Sequence, residues 1–323
     1  MSAAKRAVVT EHAFEDLAAE REAAAACGVE LEDCQCKGGE DVVRALAGTD
    51  AALVQLIEVP AAAVAGMKEG GTLIRYGVGV DNIDLAACAE RGVRVCNVPD
   101  YGLGEVADHS VALLLALLRR LPALDAEVRA GGWDLKPALG AAPPLDECVV
   151  GTLGFGRIGR AVLRRMRAFG VQVIAHDPVV DPEDMRAEDV APVELDELFA
   201  RADAVSLHAP ATAATRGLVD AARIVAMKDG ALLVNCARGG LVDEEALAAA
   251  LRAGKLAGAG LDVFGAEPLP AASPLRGAPN LLLTPHAAWC SRASTARLQR
   301  LAAEELGRAL RGEPLRCEVR PER

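Results

Sequence analysis

The sequence has few aromatic side chains and no long apolar run. Aromatic residues make up 3% of its 323 positions, and there are five histidines and two tryptophans. The longest apolar stretch near the middle, "VALLLALL" at 111–118, is too short to cross a bilayer. The N-terminus also lacks the apolar region of a secretory signal. We therefore expect no membrane partner.

Basic clusters and metal-binding cysteine patterns are also missing. Lys plus Arg number 35 and Asp plus Glu number 46, a net charge of −11, and the basic residues are scattered. This argues against direct nucleic-acid binding. Of the nine cysteines only Cys34 and Cys36 lie close together, without partner histidines, so we expect no metal site. Reduced thiols favour a cytoplasmic location.

Short apolar runs alternate with helical patterns along the chain, which predicts an α/β protein of about two domains. A first series of strand candidates lies at 6–10, 29–34, 51–56, 72–78 and 93–98. A second series lies at 149–155, 171–177, 204–210, 231–237, 258–264 and 280–286. One long helix is expected over about 104–130 and an amphipathic helix over 291–311. The pattern predicts two doubly wound parallel-sheet units.

The segment "TLGFGRIGR" follows one strand candidate and opens a helical pattern, with Gly154, Gly156 and Gly159 in G-x-G-x-x-G spacing. Such glycines allow a tight turn, approach of a pyrophosphate to the backbone, and close helix–strand packing. Asp177 ends the next strand candidate, where an acid binds the ribose hydroxyls and repels a 2′-phosphate. The alternative is a structural glycine turn with an incidental acid. The full context predicts NAD as the cofactor.

A second glycine loop, "GVGVDN" at 77–82, lacks the third glycine. The N–H groups of Val78 and Gly79, with the charge of Arg75, suit a carboxylate. A plain tight turn explains the same residues equally well.

Three ionisable residues follow later strand candidates: Arg238 in "NCARGG", Glu267 in "DVFGAEP" and His286 in "LTPHAAW". Reduction of a 2-oxo acid needs a cation for the carboxylate, an acid to protonate the alkoxide, and an anion to stabilise that acid. Arginine, histidine and glutamate suit these three roles. A lone histidine is more often structural, but here the pattern favours catalysis.

These motifs, together with "RYGVGVDNIDLAA" and "VNCARGGLVDEEAL", resemble the D-isomer-specific 2-hydroxyacid dehydrogenases over nearly the whole chain. "VCNVP" and "HAAW" are most similar to the branch that contains the C-terminal-binding-protein corepressors. The resemblance implies a Rossmann NAD domain at 102–290 and a discontinuous, flavodoxin-like substrate domain at 1–101 completed by 291–323. It also implies a homodimer built on the NAD domain, with the helix at 104–130 in the interface.

The resemblance further implies the roles of individual residues. Arg238, Glu267 and His286 are the expected catalytic trio, and Arg75, Val78 and Gly79 the expected carboxylate site. Trp289 either packs at the domain hinge or forms a wall of the substrate pocket. The expected cofactor contacts are Gly154, Phe155, Gly156, Arg157, Ile158, Gly159, Asp177, Ala209, Pro210, Cys236, Ala237 and Asp262.

Three functions remain open on the sequence. The first is an NAD-dependent oxidoreductase acting on a small D-2-hydroxy acid. The others are an NAD(H)-sensing, corepressor-like scaffold and D-3-phosphoglycerate dehydrogenase. Beyond Arg75 and Arg238 the motif loops contain no third cation for a phosphate, which favours an unphosphorylated substrate.

Overall fold

The computed structural model describes residues 5–135 and 142–319. The chain packs as two compact units. One comprises the chain up to Gly102 together with the segment from Cys290 onward, and the other is Leu103–Trp289.

The first unit begins with five strands joined by helices, and all the pairings among these strands are parallel. Its strands lie at β1 Ala7–Val9, β2 Leu31–Asp33, β3 Ala51–Val54, β4 Thr72–Arg75 and β5 Arg94–Cys96. Its helices lie at α1 Ala18–Ala25, α2 Gly39–Leu46, α3 Ala61–Gly66 and α4 Leu85–Arg91. The order β5-β4-β3-β1-β2 is the flavodoxin-like order that the resemblance implied.

The second unit has a seven-stranded parallel sheet in the order β12-β11-β10-β9-β6-β7-β8. The strands are β6 Val149–Leu153, β7 Gln172–His176, β8 Ala191–Pro192, β9 Ala204–Leu207, β10 Ala231–Asn235, β11 Leu256–Leu261 and β12 Leu281–Leu283. The helices are α5 Leu103–Leu118, α6 Leu121–Arg129, α7 Arg157–Arg167, α8 Pro182–Ala187, α9 Leu195–Arg201, α10 Ala221–Ala226 and α11 Glu244–Arg252. Short 3-10 helices lie at Leu145–Glu147, Gly239–Leu241 and Pro274–Gly277. This is the doubly wound dinucleotide-binding order.

The central strands of this sheet are buried on both faces. Two apolar clusters cover them, one built around α5 and α7 and the other around α9, α10 and α11. The carboxyl edge of this sheet is where loops can hold polar groups outside the core.

After Trp289 the chain returns to the first unit. Helix α12, Arg292–Arg311, begins with a capping box at Ser291 and packs against α1, β3 and β4. Strand β13, Glu318–Val319, pairs antiparallel with β5 at the sheet edge.

The prediction of one helix over about 104–130 was wrong. Arg120 adopts a left-handed φ of 56° between α5 and α6, and Pro122 lies at the start of α6. Proline has no N–H for a helical bond, and its ring clashes with the carbonyl four residues earlier. The apolar periodicity continues across this break, which is why the pattern alone indicated a single helix.

None of the helices in the described ranges is long and apolar enough to cross a membrane.

Candidate functional site

The glycine loop joins β6 to α7 in the geometry that a dinucleotide requires. Gly154 has a φ of 98°, and a Cβ there would lie 2.6 Å from the His208 carbonyl oxygen. At Gly159 a Cβ would lie 2.2 Å from the Gly154 carbonyl oxygen, so α7 packs directly on the loop. At Gly156, the N-cap of α7, an added Cβ would meet open space. The N–H end of α7 is thus open to an anion such as pyrophosphate.

Asp177 lies directly after β7 and is anchored to the same loop. Its Oδ2 accepts the Phe155 N–H at 2.8 Å and its Oδ1 accepts the Val179 N–H at 2.9 Å. Phe155 is fully buried, and Arg160 lies over its ring. The sequence placed Asp177 at the strand end, and the structure adds that this carboxylate also fixes the start of the glycine loop. These residues fit a dinucleotide.

The other expected cofactor residues follow β9 and β10. Ala209 and Pro210 come after His208, whose pKa burial lowers to about 4, so that the imidazole is neutral. Cys236 and Ala237 follow β10, and burial raises the pKa of the Cys236 thiol to about 12. A thiol with so high a pKa is an unreactive neighbour for a cofactor.

Arg238 is held by a turn that the sequence analysis did not identify. The fully buried Asn235 accepts the Ala237 N–H at 3.0 Å and donates to the Arg238 carbonyl at 2.9 Å. Gly239 then packs against the backbone of the segment leading to Glu267. A Cβ on Gly239 would lie 1.9 Å from the Phe264 carbonyl carbon. The signal for this contact was the glycine itself in "NCARGG", a position where backbones meet.

His286 and Glu267 form a hydrogen-bonded pair at the carboxyl edge of the sheet. His286 Nδ1 lies 2.7 Å from Glu267 Oε2, and Glu267 Oε1 accepts the Phe264 N–H at 3.0 Å. Because a carboxylate only accepts, Nδ1 carries the proton and Nε2 is the nitrogen that remains for proton exchange.

The charges of this pair support the same assignment of roles. Burial alone would raise the pKa of the Glu267 carboxyl. The hydrogen bond and the charge of His286 outweigh burial and lower that pKa below its usual value, with smaller contributions from the Phe264 N–H and Arg238. Glu267 therefore stays ionised at neutral pH. Such an anion stabilises the protonated form of the adjacent imidazole.

The turn that carries His286 has an unusual backbone. His286 has a left-handed φ of 53°. The Asp262 carbonyl accepts the His286 N–H at 2.8 Å, and the Asp262 carboxylate, 1% exposed, accepts the N–H groups of Ala287 and Ala288. Asp262 thus holds the turn from both its main chain and its side chain. Trp289, partly buried, ends this unit.

The expected carboxylate site lies in the other unit, after β4. Arg75 is buried, and its guanidinium bends over Gly77 to donate to the Tyr76 carbonyl. The Val78 side chain is 44% exposed, and the Val78 carbonyl accepts the Asn97 side-chain amide at 2.6 Å. Gly79 follows in the same loop. The cation and the two glycine-loop residues are therefore at one strand end.

A family model and curated relatives match this chain. The family model described as "D-isomer specific 2-hydroxyacid dehydrogenase, NAD binding domain" matches residues 111–288. The D-3-phosphoglycerate dehydrogenase of Archaeoglobus fulgidus is 36% identical over 293 residues, which cover 90% of this chain and 55% of that protein. The chain spans about half the length of the curated relatives it matches.

Two solved structures match over nearly their whole length. The TT0316 protein of Thermus thermophilus is 35% identical with a TM-score of 0.83, over 97% of this chain and 99% of that one. A glyoxylate reductase from Paecilomyes thermophila is 29% identical with a TM-score of 0.85, over 98% of each chain.

Proposed function

The chain belongs to the D-isomer-specific 2-hydroxyacid dehydrogenases, with NAD as its cofactor, and we propose that it interconverts a small D-2-hydroxy acid and its 2-oxo acid. The observation that carries this proposal is the 2.7 Å contact between His286 Nδ1 and Glu267 Oε2. This contact leaves His286 Nε2 for proton transfer. His286 lies in the same unit, Leu103–Trp289, as the glycine loop that fits a dinucleotide.

Each residue of the proposed mechanism has one task. Arg238 holds the substrate carboxylate and polarises the adjacent carbonyl, for which a planar guanidinium is well suited. His286 Nε2 gives its proton to the carbonyl oxygen as it becomes a hydroxyl, and Glu267 stabilises the imidazolium before that transfer. When bound, NADH would supply the hydride for reduction. Gly154–Gly159 would hold the pyrophosphate and Asp177 the ribose.

The two units have separate roles in the proposed reaction. The unit that carries Arg75, Val78 and Gly79 binds the substrate carboxylate, and Leu103–Trp289 binds NAD. Asp262, which holds the His286 turn, would lie beside the nicotinamide, and Ala209, Pro210, Cys236 and Ala237 would line the cofactor. The protein works as a homodimer in the cytoplasm.

For the substrate we propose a 2-oxo acid without a phosphate group. In the loops assigned to the substrate, the cations are Arg75 and Arg238, and both are assigned to its carboxylate. A phosphate dianion without a partner costs several kcal/mol when desolvated. Trp289 offers an apolar face to an alkyl or thioether side chain. D-3-phosphoglycerate is the second candidate, because curated relatives carry that enzyme's name.

A substrate panel separates these two candidates. We expect 4-methylthio-2-oxobutyrate or a short alkyl 2-oxo acid to be reduced with a kcat/KM at least about tenfold above that for phosphohydroxypyruvate. Trp289→Ala should reduce this preference mainly through KM, because packing on a distant side chain is uniform binding. NADH oxidation at saturating cofactor gives both constants. Equal or faster turnover of phosphohydroxypyruvate would make phosphoglycerate oxidation the function.

The scaffold alternative predicts a different outcome of the same panel. A protein that senses NAD(H) would bind NADH and reduce none of the 2-oxo acids. Such a result, together with capture of transcription factors, would favour the branch of the C-terminal-binding-protein corepressors.

Cofactor choice gives a second prediction. NADH should be preferred over NADPH by about 2–4 kcal/mol in kcat/KM, because the Asp177 carboxylate repels a 2′-phosphate and binds the ribose hydroxyls. Asp177→Asn should reduce the preference for NADH over NADPH because it removes the charge, although either the Phe155 or the Val179 N–H then loses its acceptor. Comparable kcat/KM values for the two cofactors in the wild-type protein would contradict the prediction.

A further inference from the structure

A chain of hydrogen bonds connects helix α5 to the turn that carries His286. His109 Nε2 lies 3.0 Å from Thr284 Oγ1, and Thr284 Oγ1 lies 2.6 Å from Asp262 Oδ1. The side chain of His109 is 26% exposed, whereas that of Asp262 is 1% exposed. His109 begins this chain of hydrogen bonds in α5, and the sequence offered no sign of its partner.

The direction of each bond follows from the chemistry of the groups. The Asp262 carboxylate only accepts, so the Thr284 hydroxyl donates its proton to Oδ1. The hydroxyl then has lone pairs left for the His109 N–H, which requires the proton of that imidazole to lie on Nε2. In a buried site such linked bonds strengthen one another.

Asp262 connects this chain of hydrogen bonds to the turn that carries His286. Its Oδ1 accepts the Ala287 N–H at 2.8 Å, and its Oδ2 accepts the Ala288 N–H at 2.9 Å. Together with the bond from the His286 N–H to the Asp262 carbonyl, these contacts enclose His286 and hold its left-handed φ. If the carboxylate rotates, the N–H groups of Ala287 and Ala288 lose their hydrogen bonds to Asp262.

We propose that His109 and Thr284 are positioning residues for His286. Thr284 sets the rotamer of the Asp262 carboxylate, His109 sets the direction of the Thr284 hydroxyl, and the carboxylate holds the turn that presents the imidazole. Neither residue touches the reacting atoms in this scheme. The proposal rests on the proposed function only for the role of His286 in proton transfer.

The test compares variants that remove each hydrogen bond with variants that keep it. Thr284→Val keeps the shape and removes the hydroxyl, and Thr284→Ser keeps the hydroxyl. We expect Thr284→Val to lower kcat about 10- to 100-fold with KM within about threefold, since small misplacement of a catalytic group costs this much. Thr284→Ser should recover kcat to within about threefold of wild type.

His109 is tested from the other end of the chain. His109→Phe keeps an aromatic ring without its N–H, and His109→Gln keeps a donor. In the phenylalanine variant kcat should fall about 5- to 20-fold, and in the glutamine variant it should fall less. In the His109→Phe/Thr284→Val double variant kcat should fall no further than in Thr284→Val alone, because both substitutions break the same chain of hydrogen bonds. Asp108→Asn is the matched control, because Asp108 is the neighbouring residue of α5 and its exposed side chain pairs with Arg165. It should match wild type.

A second measurement separates this proposal from the proposed function. The His286 ring resonances, assigned with His286→Ala, report the position of the imidazole without turnover. We expect them to move in Thr284→Val and return in Thr284→Ser.

If wild type reduced no 2-oxo acid and these shifts still occurred, the proposed function would fail and the positioning role would stand. If Thr284→Val kept wild-type kcat and resonances, or Thr284→Ser lost as much as Thr284→Val, the positioning role would be overturned. Should Thr284→Val not fold, His109→Phe decides by the same criteria.

Discussion

His286→Ala should lower kcat for 2-oxo acid reduction by roughly 10²–10⁴-fold while NADH still binds with a similar Kd. The alanine removes the nitrogen that gives its proton to the carbonyl oxygen, and it leaves the glycine loop of α7 untouched. Steady-state kinetics and NADH fluorescence titration give the two constants. Near-normal turnover in a folded variant would return His286 to a structural role.

Glu267→Gln is the companion variant for this prediction. Reduction needs a protonated imidazole, so kcat falls as pH rises through the pH at which that proton is lost. Glu267 remains an anion beside His286 because His286 itself lowers its pKa. Without this anion, the fall in kcat should move to lower pH. An unchanged pH profile would contradict the role of Glu267.

Gly239→Ala should lower kcat/KM by about 10²-fold or more and lower Tm by several degrees. Its Cβ would lie 1.9 Å from the Phe264 carbonyl carbon and 2.4 Å from the Gly265 nitrogen. Both atoms are backbone, so the Arg238 turn and the segment leading to Glu267 must move apart. Kinetics and thermal unfolding measure the two effects.

Gly240→Ala is the matched control for this substitution. A Cβ on Gly240 would first meet Arg216 Nη1, at 3.4 Å, which is an ordinary contact with the end of a flexible side chain. The neighbouring substitution should therefore cost little activity or stability. If both glycines tolerate alanine equally, the close approach of the two loops is not what positions Arg238 and Glu267.

The dinucleotide unit could be predicted well because its signals are local. The run from β6 to Asp177 contains an apolar strand, a glycine turn, a helical period and a second strand within one stretch of chain. Each of these patterns can be identified from residues that are close together in the chain. Gly154, with its positive φ, and Gly159, packed on the Gly154 carbonyl, occupy positions that need glycine for its conformation and its small size, respectively.

Other features of the structure could not be predicted from the sequence. The hydrogen bond from His109 to Thr284 joins positions far apart in the chain, and a single histidine in an apolar helix gives no sign of its partner. Asn235 acts within its own turn, but asparagine at a strand end is common. The sequence analysis missed the helix break at Arg120 because the spacing of apolar residues indicates which face of a helix is buried. It does not indicate the backbone dihedral angles. Strands β8 and β13 are two residues long, too short for any periodicity.

The segment order of the two units has a consequence for synthesis on the ribosome. Leu103–Trp289 is contiguous, so the whole NAD unit can emerge and fold while α12 has not yet been made. The unit that begins with β1 emerges first but stays unfinished, because the surfaces of α1, β3 and β4 that α12 covers remain open to solvent. The nascent chain therefore exposes an apolar sheet face for as long as the inserted unit takes to translate.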